Sequence, residues 1–141
     1  MREIKFRVWD KEVKLWIPQV MFSVTGEGKL FTYDEGEDKF IKEVIAYELM
    51  QFTGLTDKNG KEIYEGDIVN HHTGYHKELT RGEIRAGIEF PGFIFIPIHK
   101  RDIDRRASAP FYTIPFNIGK DLEVIGNIYE NSELTDSKEV K

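Results

Sequence analysis

The sequence predicts a mainly β protein: a small barrel-like or packed-sheet fold with a short N-terminal hairpin region and little helix. Three observations carry that expectation. Apolar residues recur with a period of two rather than 3.6, the spacing that puts alternate side chains on one face of a strand. Clusters of Gly, Pro, Asn and Asp cut these runs into short pieces at close intervals, as in small barrels and packed pairs of sheets. The chain has 141 residues, which suits one ordinary domain and excludes two full enzyme domains.

Taken in order, Ile4, Phe6 and Val8 alternate with Glu3, Lys5 and Arg7, the pattern of a half-buried strand. Asp10-Lys11-Glu12 turns the chain, and Val13, Leu15 and Ile17 then alternate with Lys14 and Trp16 until Pro18 interrupts, so residues 3–17 form a hairpin. Gly26-Glu27-Gly28 and the stretch from Asp34 to Asp38 flank Leu30-Phe31-Thr32-Tyr33, a third strand. Residues 39–50 carry Phe40, Ile41, Val44, Ile45, Leu49 and Met50, a spacing that suits either an extended run or a short amphipathic helix. Glu48 to Thr53 reads as a strand that Gly54 breaks; Asn59-Gly60 then supplies a tight hairpin turn and Lys61 to Tyr64 returns. Gly66-Asp67 turns into Ile68-Val69, and after a loop at 70–80 alternation resumes over 82–90. Pro91-Gly92 is a turn, Phe93 to Ile98 is a continuous apolar strand, and Leu122 to Tyr129 closes the fold. Asn131 to Leu134 has the residues to cap one helical turn, at the start of a charged tail over 131–141. The expected organisation is a single domain over 1–130. A soft boundary near 48–54 divides it into an N-terminal hairpin region, 1–48, and a barrel-like part, 49–130.

Hydrophobic residues make up 40% and charged residues 32%, and the mean hydropathy is -0.46; this is the balance of a folded, water-soluble globule. Lys and Arg total 20 against 25 Asp and Glu, a formal net charge of -5, which argues against strong non-specific binding to nucleic acid or anionic membrane. With no cysteine there is no disulfide framework, thiolate metal site or cysteine nucleophile, and the cytoplasm is the expected compartment. The start has no apolar core of the kind a signal peptide needs, and no run approaches the ~18 apolar residues of a membrane helix. No membrane partner is expected.

Three blocks, Phe6 to Asp10, Met50 to Val69 (MQFTGLTDKNGKEIYEGDIV) and Glu123 to Asn131 (EVIGNIYEN), together resemble the YopX family. These are small proteins encoded by bacteriophages and prophages, mostly in Gram-positive bacteria. The resemblance spans nearly the whole chain and implies a β-rich fold and a phage or prophage origin; it implies no activity. The stretch from about 70 to 120 carries no matching motif. In the central block each residue also has a structural reading: Asn59-Gly60 and Gly66-Asp67 turn, Phe52, Ile63, Tyr64, Ile68 and Val69 fill a core, and Lys58, Lys61, Glu62 and Glu65 face solvent.

No constellation of catalytic residues stands out, and no cofactor is expected. His71-His72-Thr73-Gly74-Tyr75-His76 invites a metal, but Gly74 breaks any helix that would align His72 with His76, so a polar loop is the stronger reading and no metal site is assigned. The carboxylates at 34–38 sit in a turn, and Asp102 and Asp104 are interleaved with cations. No serine has a GxSxG context, and the glycines compose no phosphate-binding loop. The basic strip His99 to Arg106 is more suggestive: Lys100, Arg101, Arg105 and Arg106 fall within eight residues of an acidic chain and could hold phosphates beside Phe111-Tyr112. Aromatic content is 13%, and Trp9, Trp16, Phe93 and Phe95 lie in apolar runs where both strand faces need cover, the pattern of an oligomer interface.

The resulting expectation is a non-enzymatic accessory protein, a self-assembling or protein-interaction module with a homo-oligomer, phage or host protein as partner. The alternative is a nucleic-acid-binding accessory protein using the 99–106 strip.

Overall fold

A computed structural model describes residues 3–72, 79–87, 92–98, 112–113 and 118–135. Among them there is no α-helix; three single 3-10 turns occur at Gln19–Met21, Ile118–Asp121 and Ser132–Thr135, and the other regular elements are strands. No helix among these residues is long and apolar enough to cross a membrane. The chain divides into two compact units, Lys5–Gln51 and Met1–Ile4 with Phe52–Lys141.

In the first unit, β1 (Phe6–Asp10) and β2 (Leu15–Ile17) form the expected hairpin, and β3 (Phe22–Val24), β4 (Leu30–Asp34) and β5 (Lys39–Val44) form a three-stranded antiparallel sheet in chain order. Strand β6 (Tyr47–Thr56) starts here, pairing β1 from Tyr47↔Asp10 to Gln51↔Phe6, and runs on into the second unit. Residues 39–50 are therefore extended, split between β5 and β6. The register of β4 with β5 slips between Thr32 and Tyr33, which leaves Ile41 as an extra residue, a β-bulge. Leu30 pairs with Val24 and Val44 on the buried face of the sheet; Phe31 and Tyr33, one residue out of phase, take the other face.

Four hairpins share one device. The residue that opens each turn is Asp10, Thr25, Asp34 or Asp57, and its side-chain oxygen accepts loop N–H groups: Glu12 and Val13 (2.8 and 3.1 Å), Lys29 (3.1 Å), Gly36 and Glu37 (2.8 and 3.2 Å), Asn59 and Lys61 (2.8 and 2.9 Å). The last loop residue, Lys14, Gly28, Asp38 or Gly60, is left-handed with φ of 57, 83, 51 and 82°. The Asn59-Gly60 turn is the tight hairpin that its letters suggest, with a loop of three residues. Asp57 N–H donates to Lys61 O at 2.7 Å and Gly60 N–H to Asp57 O at 3.0 Å, so three residues make the loop and only Gly60 takes positive φ.

The second unit holds β7 (Glu62–Tyr64), β8 (Asp67–His72), β9 (Leu79–Ala86), β10 (Phe93–Pro97), β11 (Tyr112–Thr113) and β12 (Leu122–Asn127). A five-stranded sheet in the order β11-β10-β9-β8-β12 curls into half a barrel. Its core is Ile63, Val69, Ile84, Phe95 and Leu122, with Leu55, Phe93 and Val124 against it; each such side chain contributes roughly 1.5–3 kcal/mol when fully buried. Gly54 does not break β6. At φ 86° it sits in a bulge between the Phe52↔Tyr64 and Thr56↔Glu62 pairs, which the Thr53 hydroxyl bridges by donating to Ile63 O (2.8 Å) and accepting from Leu55 N–H (3.2 Å). Gly82 is needed for a different reason: a Cβ there would lie 2.3 Å from the ring of buried Phe95.

The carboxylate of Asp57 also reaches outside its own hairpin. Its second oxygen accepts the Val124 N–H of β12 at 2.9 Å, while Lys58 N–H donates to Leu122 O at 2.9 Å. Burial pushes the Asp57 pKa up, but hydrogen bonds from Val124, Lys61 and Asn59 and the charge of Lys61 outweigh it, and the net shift is downward.

Two outcomes follow from this packing. Gly82→Ala should lower the unfolding free energy by about 1–3 kcal/mol in urea titrations, and Phe95→Leu in the same chain should recover part of that loss, a non-additivity that marks direct contact. Asp57→Asn should cost about 2–3 kcal/mol at neutral pH, because an amide cannot accept on both sides. The folded pKa lies below the unfolded one, so the carboxylate's contribution is present above the ordinary carboxylate range and lost as pH falls through the folded value. The gap between wild type and Asp57→Asn should therefore narrow in acid.

Candidate interaction surface

The rings singled out by the sequence occupy different environments. Trp9 and Trp16 are register partners across the β1–β2 hairpin, equidistant from its turn, and meet edge to face with centroids 5.0 Å apart. The Arg7 guanidinium lies 4.7 Å above Trp16, a cation–π contact on the same strand face. Trp9 is buried and Trp16 half-buried. Phe95 is only 4% exposed, seated in the half-barrel core with His71 edge-on at 5.8 Å, and Phe93 is half-buried against that core. The Phe95 ring is therefore packed inside its own unit.

His71 belongs to β8 and its ring packs on Phe95; residues 73–78, with the rest of the His-containing loop, lie outside the described residues. Among the described residues no group of three His, Asp or Glu is arranged to hold a metal ion. The basic strip, with Lys100, Arg101, Arg105 and Arg106, also lies outside the described residues.

Among the described residues, most of the exposed large apolar side chains belong to the first unit. Of the large hydrophobic side chains exposed among the described residues, Val13, Leu15, Val20, Phe40, Ile41 and Ile45 belong to Lys5–Gln51, and Ile4 alone to the other unit. Val20 is 80% and Ile45 90% exposed. Single exposed apolar residues are ordinary; a concentration of them marks an interaction surface. The turn carrying Val13 is tied to the segment carrying Ile45, since Lys11 N–H donates to Ala46 O (3.0 Å) and Lys11 Nζ pairs with Glu48 (2.8 Å). Between them lies a shallow cleft of about 250 Å³ bordered by Asp10, Glu12, Thr32, Lys42 and Ile45. No sequence signal separates Val20 and Ile45 from core residues: Val20 lies in the Gln19–Met21 turn and Ile45 between β5 and β6, and their letters do not say that these connections stay exposed.

On the β4–β5 hairpin, Tyr33 and Phe40 are register partners with rings edge to face at 5.2 Å. The Tyr33 hydroxyl donates to Asp38, and that bond, with burial second, holds its pKa above the ordinary tyrosine value.

The family model described as YopX protein matches residues 5–136. The crystal structure of protein EF1440 from Enterococcus faecalis is similar at 25% identity and a TM-score of 0.57, over 96% of this chain and 100% of that one. The X-ray structure of protein yopX from Bacillus subtilis is similar in fold at 21% identity and a TM-score of 0.58, over 95% and 98% of the two chains. No curated protein matches the chain.

The Tyr33–Asp38 bond sets the direction of one titration. With a raised folded pKa, its contribution is complete below the ordinary tyrosine value and lost as pH rises through the folded one. The difference between near-ultraviolet absorbance titrations of wild type and Tyr33→Phe should show one phenol ionising above the usual value of about 10, and Asp38→Asn should bring it back down.

Proposed function

The chain belongs to the YopX protein family, and from that premise we propose a non-enzymatic accessory protein that works by binding proteins, copies of itself included. The observation that carries this reading is the apolar surface of the Lys5–Gln51 unit, where Val13, Leu15, Val20, Phe40, Ile41 and Ile45 stay exposed. Leaving such surface in water costs roughly 25 cal/mol per Å² relative to covering it, and a symmetric contact between copies covers it twice over. The family resemblance supports a phage or prophage origin, and the absence of cysteine fits work in the bacterial cytoplasm.

A second reading rests on sequence alone. Four cations at Lys100, Arg101, Arg105 and Arg106 would give a salt-sensitive affinity for nucleic acid.

Two measurements separate these readings. Light scattering after size exclusion, over a concentration series, should give a mass above the 16.5 kDa monomer, and Val20→Ser with Ile45→Ser should lower it without changing the unfolding midpoint. A monomer at every concentration would remove self-assembly. If labelled single-stranded DNA then binds at low salt and is released by Arg101→Ala with Arg105→Ala and Arg106→Ala, the second reading replaces the first.

A further inference from the structure

Within the interaction reading above, on which this inference rests, the chemistry of one sheet face specifies the partner. The β3–β4–β5 sheet seats buried Leu30 on one face between half-buried Val24 and Val44, and among the described residues the other face keeps Ser23, Phe40 and Glu43 exposed. On that open face β4 sets Phe31 and Tyr33, and β5 sets opposite them Glu43 and Phe40. Cross-strand partners share a face, and the Tyr33–Phe40 ring contact shows that they do so here. Phe40 is 42% exposed, and Phe31 and Tyr33 are half-buried, so the three aromatic residues on this face each keep part of their surface in water.

Among the described residues, the charge on this face has one sign. Glu43 stands opposite Phe31, Asp38 is bonded to the Tyr33 hydroxyl, and the adjoining turn adds Glu35 and Glu37, both exposed. The lysines of β5 are on the other face, because Lys42 pairs with Thr32 and Lys39 with Asp34, in phase with Leu30; Lys29 stands in the turn at the far end. An aromatic sheet face binds single-stranded nucleic acid when cations accompany the rings. Here carboxylates accompany them, which repels phosphate and favours a cation over the ring faces.

We infer that the open face of the β3–β4–β5 sheet docks an arginine- or lysine-rich segment of a partner protein, its cationic heads shared between the faces of Tyr33 and Phe40 and the carboxylates of Glu43 and Glu37. The apolar stems of such side chains cover Phe31 and Phe40 while the charged ends reach the acidic rim. The fit is one of charge and ring geometry, so it selects for composition more than for shape.

The test uses the full chain and fluorescence anisotropy with three labelled probes: a peptide of alternating arginine and alanine, its glutamate counterpart, and oligothymidine. The expected result is binding of the arginine peptide alone. Phe40→Ser and Glu43→Lys should each weaken it by about tenfold, with added salt acting more strongly on wild type than on Glu43→Lys. Glu133→Lys, an equal charge change at an exposed site of the other unit, should leave it unchanged. Both face variants replace exposed residues, and unchanged cooperative unfolding verifies their fold. Equal weakening by Glu133→Lys and Glu43→Lys, no effect of Phe40→Ser, preference for oligothymidine, or no binding of the arginine peptide each overturns the inference. The light-scattering result is independent of these probes, so this site and the broader reading fail separately.

Discussion

One buried carboxylate holds the Phe52–Lys141 unit together. Asp57 is 5% exposed, and a charge taken out of water destabilises a fold unless its lone pairs are filled. Three backbone amides fill them, two from its own turn and one from β12, sixty-seven residues away in sequence. The same atoms therefore close the β6–β7 hairpin and fix where the last strand of the half-barrel lies. Beside it, Lys58 N–H caps Leu122 O, so the free margin of β12 is met by a loop where a bare strand edge would otherwise stand. Asp67 repeats the solution at the next turn, accepting Tyr64 N–H at 2.8 Å, and Asn127 does so after β12, accepting from Tyr129 and Glu130. With polar joints at these corners, the interior is left to Ile63, Val69, Ile84, Phe95 and Leu122.

The Lys5–Gln51 unit is built by the same hairpin rules to a different end. Its turns are capped as well as those of its neighbour, yet Val8, Trp9, Leu30 and Met50 are all that it buries of its large apolar side chains. The half-barrel unit is organised around its own interior, whereas this one holds well-set strands beneath an uncovered surface. A rigid scaffold with apolar and aromatic side chains outward is what protein recognition calls for, because the ordering cost is met before the partner arrives.

Strand positions were legible in the sequence because alternation is a property of neighbouring letters. The β1–β2 hairpin, β4, β10 and β12 follow from it, and Asp10, Asp34 and Asp57 announce their turns. Departures arise where one letter serves two geometries. Gly54 reads as a stop and sits in a bulge, since positive φ suits both; Asn59-Gly60 reads as a tight turn and is one, three residues long, with the Asp57 side chain taking the amides of Asn59 and Lys61. Gly82 carries no local signal at all: its need is set by Phe95, thirteen residues on and one strand away. The site was less legible still. Composition draws the eye to Trp9 and Phe95, which the fold consumes, and passes over Val20 and Ile45, whose exposure depends on which faces the rest of the chain happens to cover.

The extra residue at Ile41 bears on how such a surface can exist in a crowded cell. Strand β5 is the margin of its sheet, and a straight margin with apolar residues invites another chain to add on without end. A bulge breaks the even spacing of outward amides and carbonyls along that margin, and Lys39 and Lys42 crowd it with charge. Growth strand upon strand is thus discouraged at the edge. The docking face proposed above is thereby kept apart from the margin by which fibrils would grow.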